Sequence, residues 1–243
     1  MLEQLRNVRE TLLQTLLRNG VPGLHKSFQA TDFGDVPAAW QVVTLQDVCT
    51  NQGLQTGPFG SQLKASEYSE NGIPVVMPVN LVGRSVSIDG IAKIPSEKVK
   101  TLERHRVLRG DVLFARRGDI GRFGYIGEAE EGWICGTGCL RARPSEKIDS
   151  AYLAIYLTMP FVSRWLIKNA VGQTMLNLNT KIIGNLPIFL PDLDEQQKII
   201  SAIKSFDERI ALESIKAKQL DYVKQGLMQQ LLTGKLRVTV DDG

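Results

Sequence analysis

The sequence predicts an α/β (α+β) domain carrying a long α-helical coiled-coil arm. Three observations lead there. The chain ends as it begins: residues 5–17 align without gaps on residues 220–232, so that Leu5, Val8, Leu12, Gln14, Leu16 and Leu17 recur as Leu220, Val223, Leu227, Gln229, Leu231 and Leu232. Residues 191–236 hold no proline after Pro191, and their apolar residues step by threes and fours. Between the two copies, short β-rich runs alternate with glycine- and proline-bearing loops, the pattern of a mixed sheet domain.

Taken in order, the first element is an amphipathic helix over residues 2–17, stopped by Asn19-Gly20 with Pro22 just beyond. Residues 21–37 read as a linker, and residues 40–49 as a strand running into a short helix or turn. Thr56-Gly-Pro-Phe-Gly-Ser61 is a loop. Residues 73–79 are β-rich, and their two prolines predict an edge strand. Leu108-Arg-Gly-Asp111 is a turn, with Asp111 as its cap, feeding the strand 112–115. A glycine-punctuated loop, 116–124, leads to short strands at 125–127, 133–135 and 140–143. Residues 150–169 are helical and broken near Pro160. Residues 182–190 read as β.

The last element is the clearest. Asp192 caps a helix, with Glu195 placed to complete a capping box. Ile199, Ile203, Phe206, Ile210, Leu220, Val223, Leu227 and Leu231 form its apolar stripe, which closes at Thr233-Gly234. About forty residues make a rod of roughly 60 Å, which buries its stripe only by packing along another helix. Gly226 predicts a close helix approach. The expected organisation is a helix at 1–20, a mixed domain at 21–190, the long helix at 191–236 and a tail at 237–243.

Composition narrows the chemistry. The net charge is +3 and the three cysteines, Cys49, Cys135 and Cys139, have no metal-ligand spacing, so they read as packing residues in a reducing, cytoplasmic setting. No run is long enough to span a membrane. Arg104, Arg106, Arg109, Arg116, Arg117, Arg122, Arg141 and Arg143 form a stretch free of lysine. Arginine forks match phosphates and guanine edges, although ion pairing with neighbouring acids would explain the same stretch. His25 and His105 lack a nucleophile motif, no phosphate loop occurs, and the glycines at 118, 121 and 124 suit a β-hairpin better than a dinucleotide loop. The residues describe a binder without a catalytic or metal site.

Several segments, in order, resemble the specificity (S) subunit of type I restriction-modification systems. Phe33-Gly-Asp-Val-Pro-Ala-Ala-Trp40 resembles the opening of a target-recognition domain. Gly57-Pro-Phe-Gly-Ser61, with Tyr68 and Gly72-Ile-Pro74, resembles its early loop, and Leu108-Arg-Gly-Asp-Val-Leu-Phe-Ala-Arg-Arg-Gly118 its central strand. Leu186-Pro-Ile-Phe-Leu-Pro-Asp-Leu-Asp-Glu-Gln-Gln-Lys-Ile199 and Leu227-Met-Gln-Gln-Leu-Leu-Thr-Gly-Lys-Leu236 resemble the bounds of the helical conserved region. The resemblance covers nearly the whole chain and is to one recognition half, either a natural half-subunit or the second half of a longer one.

It implies a non-catalytic, DNA-binding subunit that reads one half-site of a bipartite duplex target and docks methyltransferase (M) and restriction/translocase (R) subunits. Those partners bring S-adenosylmethionine and ATP, and the chain itself needs no cofactor. A natural half-subunit would form a homodimer. Candidate base or phosphate contacts are Gln55, Ser61, Asn80, Arg84, Arg116, Arg117, Arg122, Gln173, Thr174, Asn177, Asn179 and Lys181. For Gly57 to Ser61 a structural turn and a DNA contact are equally open. The rival reading is a helical scaffold whose middle domain binds protein.

Overall fold

The computed structural model describes residues 2–172 and 176–233. Gln173, Thr174, Gly234 and the expected tail lie outside them. Two compact units emerge: Leu16–Ile200, and Met1–Thr15 with Ser201–Gly243.

Helix α1 (Leu2–Asn19) ends at Gly20, whose φ of +76° takes the left-handed cap and whose N–H donates to Leu16 O at 3.1 Å. The segment read as a linker contains a small hairpin, β1 (Phe28–Gln29) with β2 (Val36–Pro37). Then follow β3 (Gln41–Thr44), β4 (Gln55–Thr56), β5 (Ile73–Val76), β6 (Leu81–Val82), β7 (Ser85–Val86), β8 (Ala92–Ile94) and α2 (Ser96–Thr101). Strands β9 (Val112–Ala115), β10 (Phe123–Tyr125), β11 (Ile134–Cys135) and β12 (Cys139–Ala142) lead to α3 (Ser150–Tyr156), α4 (Pro160–Asn169) and α5 (Thr180–Gly184). β13 (Pro187–Leu190) and α6 (Leu193–Leu232) complete the order.

The central sheet runs β10-β9-β12-β4, antiparallel throughout. Beside it β11-β5-β8 mixes a parallel and an antiparallel pair. Every residue of β9 and β12 is buried, so these strands are covered on both faces. Val76, Leu113, Ala115, Ile126, Cys135 and Cys139 share one core cluster. Cys135 and Cys139 are free packing thiols, and burial pushes Cys135 up to about 12. β3 and β13 pair from Thr44 with Pro187 to Gln41 with Leu190, so the domain's opening and closing strands lie side by side. Buried Tyr152 and Tyr156 hold that closure, their hydroxyls donating to Phe189 O and Pro187 O at 2.8 and 2.9 Å.

Two strand expectations are corrected. β5 is central rather than an edge. Its parallel ladder begins at Val75, so Pro74 stands where that side demands no N–H. Residues 182–184, expected as the start of a β run, belong instead to helix α5, because the Asn179 side chain accepts from Ile182 N at 2.8 Å and caps the turn. Local capping overrides the β propensity of Ile182 and Ile183.

The root of α6 also differs from a capping box. Asp192 caps as expected, accepting from Glu195 N at 2.8 Å. The Glu195 carboxylate turns instead into the domain. It accepts from Trp40 Nε1 at 2.7 Å and Val21 N at 3.0 Å, and lies 2.8 Å from His25 Nε2. Buried Gln196 adds a bond from Asp149 N at 2.7 Å and donates to Pro191 O. Glu195→Ala therefore strands buried donors, and is expected to cost roughly 2–4 kcal/mol. A urea midpoint equal to that of the parent chain would show that water replaces the carboxylate.

In the smaller unit, Arg9 grips Asp207 through two bonds, at 2.8 and 3.3 Å. Ile203 is buried, and Phe206 and Ile210 are half-buried. From residue 218 onward every described residue of α6 is exposed, Leu220, Val223, Leu227 and Leu231 included. A Cβ on Gly226 would meet nothing within 4 Å. The close approach expected there does not occur within the chain, since no described segment covers that stretch.

Candidate nucleic-acid interface

Strand registers gather the domain's polar loops at one end of the sheets. Ala115 pairs with Cys139, Phe114 with Phe123, and Thr56 with Leu140. The loops 57–62, 116–122 and 136–138 therefore leave from the same end. Val76 is in register with Cys135, which brings the turn 77–80 to that end as well. Residues 177 and 178 join through Leu178 N, which donates to Arg116 O at 2.9 Å, and through a bridge between Arg117 and Asn177.

Glycine lets these loops interlock. A Cβ on Gly57 would collide with the Gly136 carbonyl, and one on Gly136 would sit 2.6 Å from Val76 O. Thr137 Oγ1 donates to Pro58 O at 3.0 Å, and Arg116 N to Gly138 O at 2.8 Å. The result is a set of backbones fixed to one another rather than separate flexible arms.

On this end stand Ser61 and Arg117, both exposed, and Arg122, exposed and paired with Asp119 at 2.6 Å. Arg116 is half-buried. Its Nε donates to Asn177 Oδ1 and Leu178 O, both at 3.1 Å, so the guanidinium is aimed by the loop beside it. Burial, then the neighbouring Arg117, lowers its pKa. Both effects favour an anion at this position.

Other candidates have different surroundings. Asn80 is buried, and its Oδ1 accepts from Met77 N at 2.9 Å, holding the 77–80 turn. Gln55 lies within β4, its Oε1 accepting from Arg141 Nη2 at 2.9 Å. Arg84 sits in the β6–β7 turn, its carbonyl accepting from Tyr125 N. Asn179 caps α5, and exposed Lys181 lines a cleft of about 430 Å³ with the 50–54 loop.

The lysine-free arginine stretch thus splits in two. Its other half serves the opposite end of the central sheet. There buried Asp111 takes Arg143 through two bonds of 2.8 Å and accepts from Leu108 N at 2.9 Å. Arg141, nearly fully buried, donates to the carbonyls of Arg104 and Arg106. Arg106 pairs with Glu103 at 3.0 Å. His105, buried beside Arg104 and Arg141, is held down to about 4, by burial first and by those cations second. Ion pairing accounts for Arg106 and Arg143, and main-chain carbonyls hold most of Arg141. Among the described residues no cluster of His, Cys, Asp and Glu could hold a metal ion, and no helix is long and apolar enough to cross a membrane.

The candidate side chains do not include two exposed apolar residues at the loop end, Phe59 and Val79, although Phe59 lies in the Gly57–Ser61 loop, for which a DNA contact is open. The signal was present in Gly57-Pro-Phe-Gly60, where an aromatic is flanked by residues that build turns rather than cores.

Residues 37–222 match the family described as the type I restriction modification DNA specificity domain. The MjaVIII specificity subunit of a type I restriction enzyme from Methanocaldococcus jannaschii is 28% identical over 242 residues, covering 98% of this chain and 55% of that protein. The EcoBI specificity subunit from Escherichia coli is 26% identical over 170 residues, 70% of this chain and 35% of that one. Among solved structures, the HsdS subunit from Thermoanaerobacter tengcongensis superposes with a TM-score of 0.62 at 19% identity, over 97% of this chain and 52% of its own. The S subunit from M. genitalium gives 0.57 at 15%, over 98% and 56%. These two likenesses concern the fold. The chain spans about half the length of the curated relatives it matches in full.

Proposed function

Because the chain belongs to the family of type I restriction modification DNA specificity domains, we propose that it reads one half-site of a bipartite duplex target. The reading domain is residues 21–190. The observation that carries this is the interlocked loop end, where Arg116, Arg117, Arg122, Asn177 and Ser61 are presented on fixed backbones. Arginine forks suit guanine edges and phosphates, and amide side chains suit adenine. Gln173 and Thr174, which lie outside the described residues, belong to the proposed set, with Arg84, Asn179 and Lys181 at its margin.

The chain supplies no catalytic group in this reading. It delivers methyltransferase and restriction/translocase subunits to the site, and the bare half of α6 is the surface they or a second copy cover. Two copies related by a two-fold axis would read an interrupted palindrome with identical half-sites. Mapping methylated bases in cells carrying the chain and its methyltransferase partner gives the target; two unrelated half-sites made with this chain alone would exclude the symmetric form.

Duplex binding tests the reading directly. Log affinity falls with log salt at a slope of about 0.9 per contacted phosphate. Arg117→Ala is expected to weaken binding and reduce that slope by roughly one contact. Arg116→Ala is expected to cost ~1–3 kcal/mol and to relax preference at one base pair. Affinity that ignores salt, or that survives both changes, would instead favour a scaffold whose middle domain binds protein.

A further inference from the structure

Phe59 is 56% exposed and Val79 is 74% exposed, each on a loop at the end where Arg116 and Arg117 gather. A single exposed apolar residue needs no explanation. Two of them on interlocked loops, at the same end as an exposed arginine and an aimed one, do.

The loop that carries Phe59 is not free to fold the ring inward. Gly57 N donates to Cys139 O at 2.9 Å, and Pro58 O accepts from Thr137 Oγ1. Phe59 N donates to Gln62 Oε1 at 3.0 Å, while Phe59 O accepts from Gln62 N at 2.8 Å and Leu63 N at 3.2 Å. Leu63, next in the chain, is buried and anchors the loop from below. Both backbone polar groups of Phe59 are thus satisfied inside the loop while its ring faces water. Val79 is held likewise. Asn80 Oδ1 closes its turn, and Pro78 lies 3.2 Å from where a Cβ on Gly138 would stand. Rigidity of this kind removes the ordering cost of a later contact.

We propose that Phe59, with Val79 beside it, presses apolar surface into the base stack of the duplex at one step of the half-site, while Arg116 and Arg117 hold the adjoining backbone and base edges. This rests on the DNA-reading function above. An apolar wedge partly unstacks the step it enters. The cost of unstacking depends on sequence and is least at pyrimidine–purine steps. The half-site therefore contains such a step, TA or CA/TG, and it is selected by deformability rather than by hydrogen bonds. Charge complementarity favours DNA over an apolar protein groove as the occupant, since Arg116 and Arg117 stand on a loop at the same end.

The test uses the full chain and a duplex it selects from a randomised pool, with 2-aminopurine placed at each adenine in turn. The parent chain is expected to enrich a pyrimidine–purine step and to brighten the probe beside it. Phe59→Ala is expected to weaken binding about 10- to 100-fold, to abolish the brightening and to leave the salt slope unchanged. Phe59→Leu keeps most of both signals. Exposure of the ring means neither change threatens folding. If the parent selects no duplex, the DNA-reading function falls and the wedge falls with it. If it binds through Arg116 and Arg117 but Phe59→Ala matches it in affinity and fluorescence, the wedge alone is overturned. Loss of methyltransferase-subunit capture with DNA binding intact would also overturn it, and would assign the loop to protein docking.

Discussion

Asp111→Ala is expected to lower the stability of the larger unit by about 3–5 kcal/mol, the cost of leaving buried cations without their counter-charge. Asp111 is 1% exposed. It takes both nitrogens of the Arg143 fork at 2.8 Å, caps the Leu108 turn, and stands 4.0 Å from Arg141 Nε. Burial, then Arg143, lowers the pKa of Arg141, and the charge of Asp111 acts against them. Removing it leaves two arginines facing each other and the carbonyls of Arg104 and Arg106. Asp111→Asn keeps an acceptor for Leu108 N but not the charge, and is expected to fall between. Urea denaturation read by tryptophan fluorescence measures both. An alanine variant within 0.5 kcal/mol of the parent would mean that water reaches the arginines and that the pair is not buried in solution. DNA binding by either variant, measured where it remains folded, is expected to be unchanged, because Asp111 sits at the opposite end of β9 from the loops that carry Arg116 and Arg117.

The sequence made the helices and the buried strands legible because their signals are local. α1 and α6 announce themselves by apolar spacing and by caps at Gly20 and Asp192, and the strand at 112–115 by an unbroken apolar run after a capped turn. What was not legible depends on partners distant in the chain. Glu195 stands at the right spacing for a capping box, yet three donors from residues 21–40 claim its carboxylate. Pro74 argued for an edge until the short ladder with β11 left its position undemanding. The arginine stretch is uniform in sequence, but pairing of β12 with β9 sends Arg141 and Arg143 to Asp111 and keeps Arg116 and Arg117 at the loops. Asn80 looks like any polar loop residue until Met77 N is found on its amide. Composition names the residue types a DNA reader needs. Which of them face outward follows from loop–loop contacts that no local pattern encodes.

The second large effect belongs to the arm. Leu227→Asp is expected to leave the stability of the isolated chain within about 0.5 kcal/mol, since Leu227 is exposed and touches no core. The same change is expected to weaken self-association or capture of a partner subunit by roughly a hundredfold, because it would put an unpaired charge into a packed seam. The internal repeat supplies the reason. Leu13, Leu16 and Leu17 of α1 are buried, whereas their counterparts in the aligned copy, Met228, Leu231 and Leu232, are exposed. The C-terminal part of the pattern is covered in its first occurrence and bare in its second, while Val8 and its counterpart Val223 are both exposed. A helix this long does not hold an apolar stripe in water on propensity alone, so we propose that another helix covers it in the assembled complex. Leu227→Asp thus separates assembly from folding, whereas Phe206→Asp reports on both. Phe206 is half-buried within the chain, so its variant is expected to lose folding stability as well as association. Light scattering gives the mass, and co-purification with a methyltransferase subunit gives the capture. If Leu227→Asp leaves both as they are in the parent, the distal stripe is not an assembly surface, and the repeat records common ancestry of the two helices without a shared packing role.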